Sequence, residues 1–298
     1  MKPTDIFTDL AAFRSYTEGL ANDTTYQQLA PSIRIVATDI KAVITPAVFE
    51  AIASFTPSTA PDADNSAEEA LEILRTALAN GAMAKYAIFA AVKKNGSDAS
   101  IYKYQHEELK DHYVEAYARA MDELLDWLDA HDTIGGTDSQ DDAHSTKWKD
   151  SEEYKTRQAL PVRNAAEFDR YYGIGRSSFF FFKVLFLVRN IWEYKVKAML
   201  GSSEDEKAVE LAKHILVYRV MAAAVMQFDV TELPRSIRWD YNHEYTKGTD
   251  MQDRDKLASQ LLGQAEAWEK SLQIRLHSAD KPMADDLNRE ENKFFASL

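Results

Sequence analysis

Histidine and aspartate are the residues of this chain with most capacity for chemistry, since it has seven His and no Cys among its 298 residues. The missing thiols exclude disulfides, cysteine nucleophiles and cysteine zinc sites. His106-Glu107-Glu108 opens like a zinc-protease helix, in which two His one turn apart share a face with a general-base Glu. Lys110 occupies the second ligand position, however, and His112 is out of register. The remaining histidines have no Ser or Asp companion in sequence that would make a nucleophile and base, so surface or packing roles are expected. Gly173 and Gly175 begin a glycine pattern of the kind that cradles phosphates. Ser178 stands where its last glycine should be and no strand precedes it, so a turn leading into a helix is the better reading.

The acidic runs are Asp122, Glu123, Asp126 and Asp129, then Asp138, Asp141 and Asp142. Hard cations need converging oxygens, and an EF-hand would alternate its carboxylates around a glycine. Neither run does so, and they read as a solvated helix face and a flexible linker. Asn22-Asp23-Thr24 and Asn95-Gly96-Ser97 have the spacing of glycosylation sites, but the first twenty residues do not read as a secretory signal. The sequence therefore predicts no catalytic residue, no cofactor and no metal ligand. A formal charge of −13 argues against holding a duplex by phosphate neutralisation. An acidic wall would instead let DNA slide past.

The elements that carry these residues are helices. Only 10 Gly and 8 Pro stand against abundant Ala, Leu, Glu, Lys and Gln, which lose little freedom in a helix. Four elements recur in the same order. Phe13 and Tyr16 match Phe168 and Tyr171, and IKAVIT (40–45) matches VKAMLG (196–201). Glu68, Ala70, Glu72, Leu78, Met83 and Ala84 then fall on Glu206, Ala208, Glu210, Leu216, Met221 and Ala222. Ser66 with Glu69, and Ser203 with Glu206, have capping-box spacing. A last helix closes each half, with a stripe of Tyr113, Tyr117, Met121, Leu124 and Leu128 in one and Leu257, Leu261, Ala265, Trp268 and Leu272 in the other.

The expected fold is thus all-α: two similar helical units in tandem by internal duplication, with extended arms or loops and a turn or short hairpin at Lys93–Ser100. The expected boundaries are 1–131 for the first unit, 132–162 for a polar linker or arm, and 163–298 for the second unit with its C-terminal tail. Trp148, inside that polar linker, needs a surface to cover it.

The most apolar segment holds four consecutive phenylalanines, Phe179 to Phe182. Ser177–Leu200 is long enough to span a bilayer, but Lys183, Arg189, Glu193, Lys195 and Lys197 lie within it, so a membrane role is not expected. At about 100° per residue the four rings point all round a helix. Two readings stay open. Phe179, Phe180, Phe181, Phe182, Phe186, Trp192 and Trp148 are candidate subunit-interface residues, or the run serves the core of one subunit.

Taken in order, DLAAFRSYTEGLANDTTYQQLAPSIRIVATDIKAVIT, EEALEILRTALANGAMAKY, the W-x-x-S-x-x-Y spacing of Trp148, Ser151 and Tyr154, and AAEFDRYYGIGRSSFFFFKVLFLVRNIWEYKVKAMLG resemble a domain family of unknown function from tailed phages and prophages of Bacteroidota. The resemblance covers most of the chain, and each half is similar to a single helical connector. It implies a head-completion, or head-to-tail connector, subunit at the neck of a virion, made in the host cytoplasm. The implied partners are further copies in a ring, twelve by analogy with portal symmetry, the portal protein and the next neck or tail component. Double-stranded DNA would pass through without specific recognition. The resemblance carries no catalytic residue. Two other functions stay open: a helical enzyme or ligand-binding protein with a pocket between its units, and a non-viral helical scaffold.

Overall fold

The computed structural model describes residues 2–20, 23–56, 66–94, 103–131, 147–229, 232–234, 237 and 250–279. All regular structure among them is helical, with no strand. The chain forms two compact units. The first is Met1–Ala159 with Arg163–Ala165 and Ile174–Lys183; the second is Leu160–Val162, Ala166–Gly173 and Val184–Leu298. This division differs from the expected 1–131, 132–162 and 163–298. Residues 147–159 pack within the first unit, and so does the beginning of the phenylalanine helix.

In the first unit a short 3-10 turn, Pro3–Ile6, precedes α1 (Leu10–Arg14), α2 (Tyr26–Ile44), α3 (Pro46–Ala53), α4 (Ser66–Lys94), α5 (Lys103–Ala130) and α6 (Glu152–Gln158). Asp9 caps α1 by accepting the Ala12 amide at 2.8 Å. Leu29, Ile33, Val36, Ile40 and Ile44 form the buried stripe of α2. Such side chains each contribute about 1.5–3 kcal/mol when taken out of water. They pack on α4, where Gly81 meets Val36. A Cβ at Gly81 would lie 2.6 Å from Val36 Cγ1 and 3.0 Å from Tyr117 Cδ2, so this glycine lets α2 and α5 approach α4 closely.

The second unit contains α7 (Ala165–Asp169), the later part of α8 (Ser178–Ile191), a π-helical turn (Trp192–Val196), α9 (Lys197–Leu200), α10 (Glu206–Gln227) and α11 (Asp250–Ala279). The long pair α10 and α11 packs together as α4 and α5 do. Asp205 caps α10 by accepting the Ala208 amide at 3.0 Å, which replaces the expected Ser203–Glu206 box. The carboxylate sits at the true start of the helix, two residues closer to the amides it serves. The side chain of Ser66, the expected hairpin tip at 95–100 and the linker tip 132–146 lie outside the described residues. Among the described residues no helix is long and apolar enough to cross a membrane.

Several matched positions of the two units are buried alike. Phe13 and Phe168 are both fully buried, as are Leu29 and Val184, and Ile33 and Val188. Each of these pairs lies 155 positions apart. Beyond the π turn the spacing becomes 156: Ile40 and Val196 are both fully buried, and Ile44 matches Leu200. The π turn therefore accommodates one additional residue in the second unit, which is what a single wide turn does within an α-helix.

Thr45 and Gly201, the next matched pair, both close their helices with positive φ, 71° and 64°. That conformation suits glycine and strains a β-branched residue. Thr45 remains useful because its hydroxyl accepts the Val48 amide at 3.4 Å and starts α3. The second unit has no counterpart of α3, since only four residues separate Gly201 from α10, and glycine suffices there.

Candidate functional site

The acidic residues of α5 are the first departure from the sequence reading. Asp122, Asp126 and Asp129 recur at i, i+4 and i+7, one helix face, and each has a partner within the first unit. Asp122 Oδ1 accepts the Phe179 amide at 2.7 Å and the Ser177 hydroxyl at 2.9 Å. Asp126 Oδ1 accepts the Ser178 hydroxyl at 2.6 Å. Asp122 thus satisfies one of the orphan amides at the start of α8, where the helix dipole also favours negative charge. Burial pushes the Asp122 carboxyl above its usual range, and the Phe179 amide and Ser177 hydroxyl pull it back. The expected solvated face is a docking strip.

Asp129 holds the segment expected to be linker. Its two oxygens take a bidentate pair from Arg157, at 2.7 and 2.9 Å, and Oδ1 also accepts Trp148 Nε1 at 2.9 Å. The Arg157 guanidinium lies over the Tyr154 ring at 4.5 Å and the Phe182 ring at 5.2 Å. Ser151 caps α6 by accepting the Tyr154 amide at 3.2 Å while donating to Trp148 O at 2.6 Å. Thus Trp148, Ser151 and Tyr154 fold back over α5 as one clasp. Hydrophilic composition around Trp148 hid it, because Arg157 and Asp129 are polar only until they are paired.

This geometry reassigns much of the candidate interface. Phe179, Phe180, Phe181 and Trp148 are buried within the chain, and Phe182 is partly buried against the first unit's core. Phe179 meets Tyr117 edge to face, and Phe182 lies 5.3 Å from the Trp148 ring. Phe179, Phe182 and Trp148 pack in or against the first unit's core, and Phe180 and Phe181 are likewise covered by the chain itself. Phe186 and Trp192 belong to the second unit; Phe186 is 47% exposed and Trp192 half-buried. Sequence reading missed Tyr194, which is 86% exposed in the π turn. Its signal was the aromatic in WEYK, between charges on both sides.

Within the second unit, Tyr171 Oη donates to Glu210 Oε2 at 2.6 Å, and Lys213 Nζ lies 3.2 Å from Glu210 Oε1. The matched residues of the first unit repeat the arrangement, with Tyr16 Oη 2.8 Å from Glu72 Oε2 and Arg75 Nη1 2.7 Å from Glu72 Oε1. Burial and the Glu210 hydrogen bond raise the Tyr171 phenol well above its usual range. Next to it, His214 packs against the edge of Tyr171 and stacks on Trp268 at 4.4 Å, and burial lowers its pKa. His214 Nδ1 and Trp268 Nε1 are buried without a protein partner among the described residues. No group of three or more His, Asp or Glu side chains is placed to hold a metal ion among the described residues. The Gly173 to Gly175 stretch forms the turn into α8, with Gly175 at φ +66° and open space where its Cβ would be.

The molecule is accordingly an all-α protein of two similarly built units, with its aromatic residues divided between internal clasps and one exposed helical turn. Residues 185–281 match the model of a family of unknown function (DUF6712). That match covers about a third of the chain and takes in the second half of α8, the π turn, α9, α10 and α11. No curated protein and no solved structure matches.

Proposed function

We propose that this chain is a structural virion protein of a tailed phage, a head-to-tail connector that forms a ring below the portal and lets DNA through. The observation that carries self-assembly is the exposure of large aromatic side chains on one helix, with Tyr194 86% and Phe186 47% exposed. A lone subunit leaves that surface in water, whereas a ring buries it on its flanks. The sequence resemblance supplies the setting: the neck of the virion, the portal protein and the next tail component as neighbours, and twelve copies by analogy. The role in this reading is architectural, with no chemistry and no cofactor.

The same reading includes duplication of one helical unit. The repeated Tyr–Glu–cation contacts, the repeated burial pattern and the matched positive φ of Thr45 and Gly201 support it. Loss of α3 and the one-residue π turn then distinguish the second copy.

Electron microscopy of the purified protein and of virions tests the proposal. A ring, found at the portal vertex, is the expected result. A monodisperse monomer that retains a metabolite overturns it in favour of a ligand-binding or enzymatic helical protein. Portal, terminase and capsid genes beside this one are expected; their absence favours a scaffold outside viruses.

A further inference from the structure

The first unit shows what covers the end of α2. Lys41 Nζ sits 3.2 Å from Glu50 Oε1 and 4.8 Å from the centre of the Phe49 ring, both supplied by α3. Its side chain is 23% exposed. The matched residue in the second unit, Lys197, has no α3 over it and is 57% exposed, paired with Glu193 one turn away on its own helix. The π turn that precedes it adds the exposed Tyr194 and Lys195, and Arg189 is exposed one turn earlier. Arg189, Lys195 and Lys197 against the single Glu193 make a basic, aromatic ridge in a chain whose net charge is −13.

The opposite pattern lies in the first unit. An open cleft of about 480 Å³ is lined by Thr45, Ala47, Lys147, Asp150, Glu152 and Glu153, among others. Three carboxylates and one lysine line it, and Asp150 lies 3.9 Å from Lys155 Nζ, so Glu152 and Glu153 carry its acidic character. Glu152 and Glu153 form no ion pair among the described residues, being the first-turn acids of α6.

We propose that the ridge around Tyr194 docks into the Asp150–Glu153 cleft of a second copy of this chain. Three considerations favour this occupant. The ridge and the cleft are complementary in charge, which matters most within a Debye length of about 8–10 Å and so overrides the repulsion of two acidic bodies only at close approach. Tyr194, 86% exposed, supplies apolar area on the ridge, and tyrosine is a residue type that anchors interfaces. The pairing also repeats chemistry the chain already uses, since Lys41 takes a carboxylate and an aromatic ring from α3. The two surfaces differ, so the association is head to tail and propagates from copy to copy until it closes. It rests on the ring reading above and names the contact that would build the ring.

The test is charge exchange in the full chain, followed by sedimentation and light scattering, with thermal unfolding of each variant as the control for folding. Lys195→Glu with Lys197→Glu is expected to weaken self-association by about tenfold or more, and Glu152→Lys with Glu153→Lys by a similar factor. Combining all four restores assembly, and Tyr194→Ala weakens it without lowering the melting temperature. Ridge variants that assemble like the parent protein, or a fourfold variant that stays apart, overturn this contact and leave the ring proposal standing. A parent chain that remains monomeric overturns both. Binding of a labelled DNA duplex that is lost on reversing the ridge charges also overturns it, because the ridge would then serve phosphates.

Discussion

The phenol of Tyr171 donates to Glu210 at 2.6 Å, tying the end of α7 to α10. Tyr16 makes the same bond to Glu72 in the first unit. A shared helical plan can follow from composition, but two matched tyrosines finding two matched glutamates requires the same backbone placement twice. Tyr171→Phe is expected to cost about 1 kcal/mol, the net worth of one hydrogen bond at a solvent-accessible site. It also lets the Glu210 carboxyl, held below its usual range first by the Tyr171 hydrogen bond, return upward. Denaturant unfolding and carboxyl titration by NMR read the two effects.

Arg157 is the keystone of the clasp over α5. Its side chain is 5% exposed, and Asp129 is 31% exposed. Arg157→Ala leaves Asp129 partly buried beside Trp148 without its cation, a loss of about 3 kcal/mol. Arg157→Lys recovers little, because an ammonium cannot span both carboxylate oxygens. Denaturant unfolding gives the energy, and a red shift of tryptophan fluorescence reports release of Trp148.

Replacing Gly81 with alanine sets two effects against each other. Alanine improves helix propensity by about 1 kcal/mol, but its Cβ would stand 2.6 Å from Val36. Overpacking of this kind costs about 1–3 kcal/mol, so a net loss of stability and a lower melting temperature are expected.

The packing of α10 on α11 is expected to weaken in mild acid. His214 has its pKa lowered from 6.5, first by burial, with Glu210 opposing. The folded state therefore prefers neutral imidazole, and its contribution is complete above pH 6.5 and is lost as pH falls through the folded pKa. His214→Gln flattens that dependence. Thermal unfolding as a function of pH measures it; an unchanged slope in the variant refutes the assignment.

Aromatic substitutions should separate folding from assembly. Phe181 is fully buried, and Phe181→Ala is expected to cost about 3–5 kcal/mol of folding stability. Tyr194→Ser leaves folding within about 0.5 kcal/mol, as exposed positions do, and reduces oligomer mass. Unfolding curves and light scattering on the same samples distinguish the two classes.

Local chemistry written into the sequence was enough to determine that the described chain is helical, and where most helices run. Few Gly and Pro, apolar residues at i and i+4, and the recurrent Phe-x-x-Tyr and Lys-Ala segments are short-range signals, so α2, α4, α5 and α10 could be read directly. Whether a polar or aromatic residue faces water could not, because that depends on partners distant in the chain. Asp122, Asp126 and Asp129 look solvated until α8 and the Trp148 clasp arrive to pair with them, from 19 to 57 residues away. Phe179 and Phe182 look like interface until the core of the first unit takes them up. The π turn was equally hidden, since one extra residue changes no composition and becomes visible only when two packed helices are compared turn by turn. Periodicity is a property of neighbours along the chain, whereas burial is settled by what the rest of the chain brings.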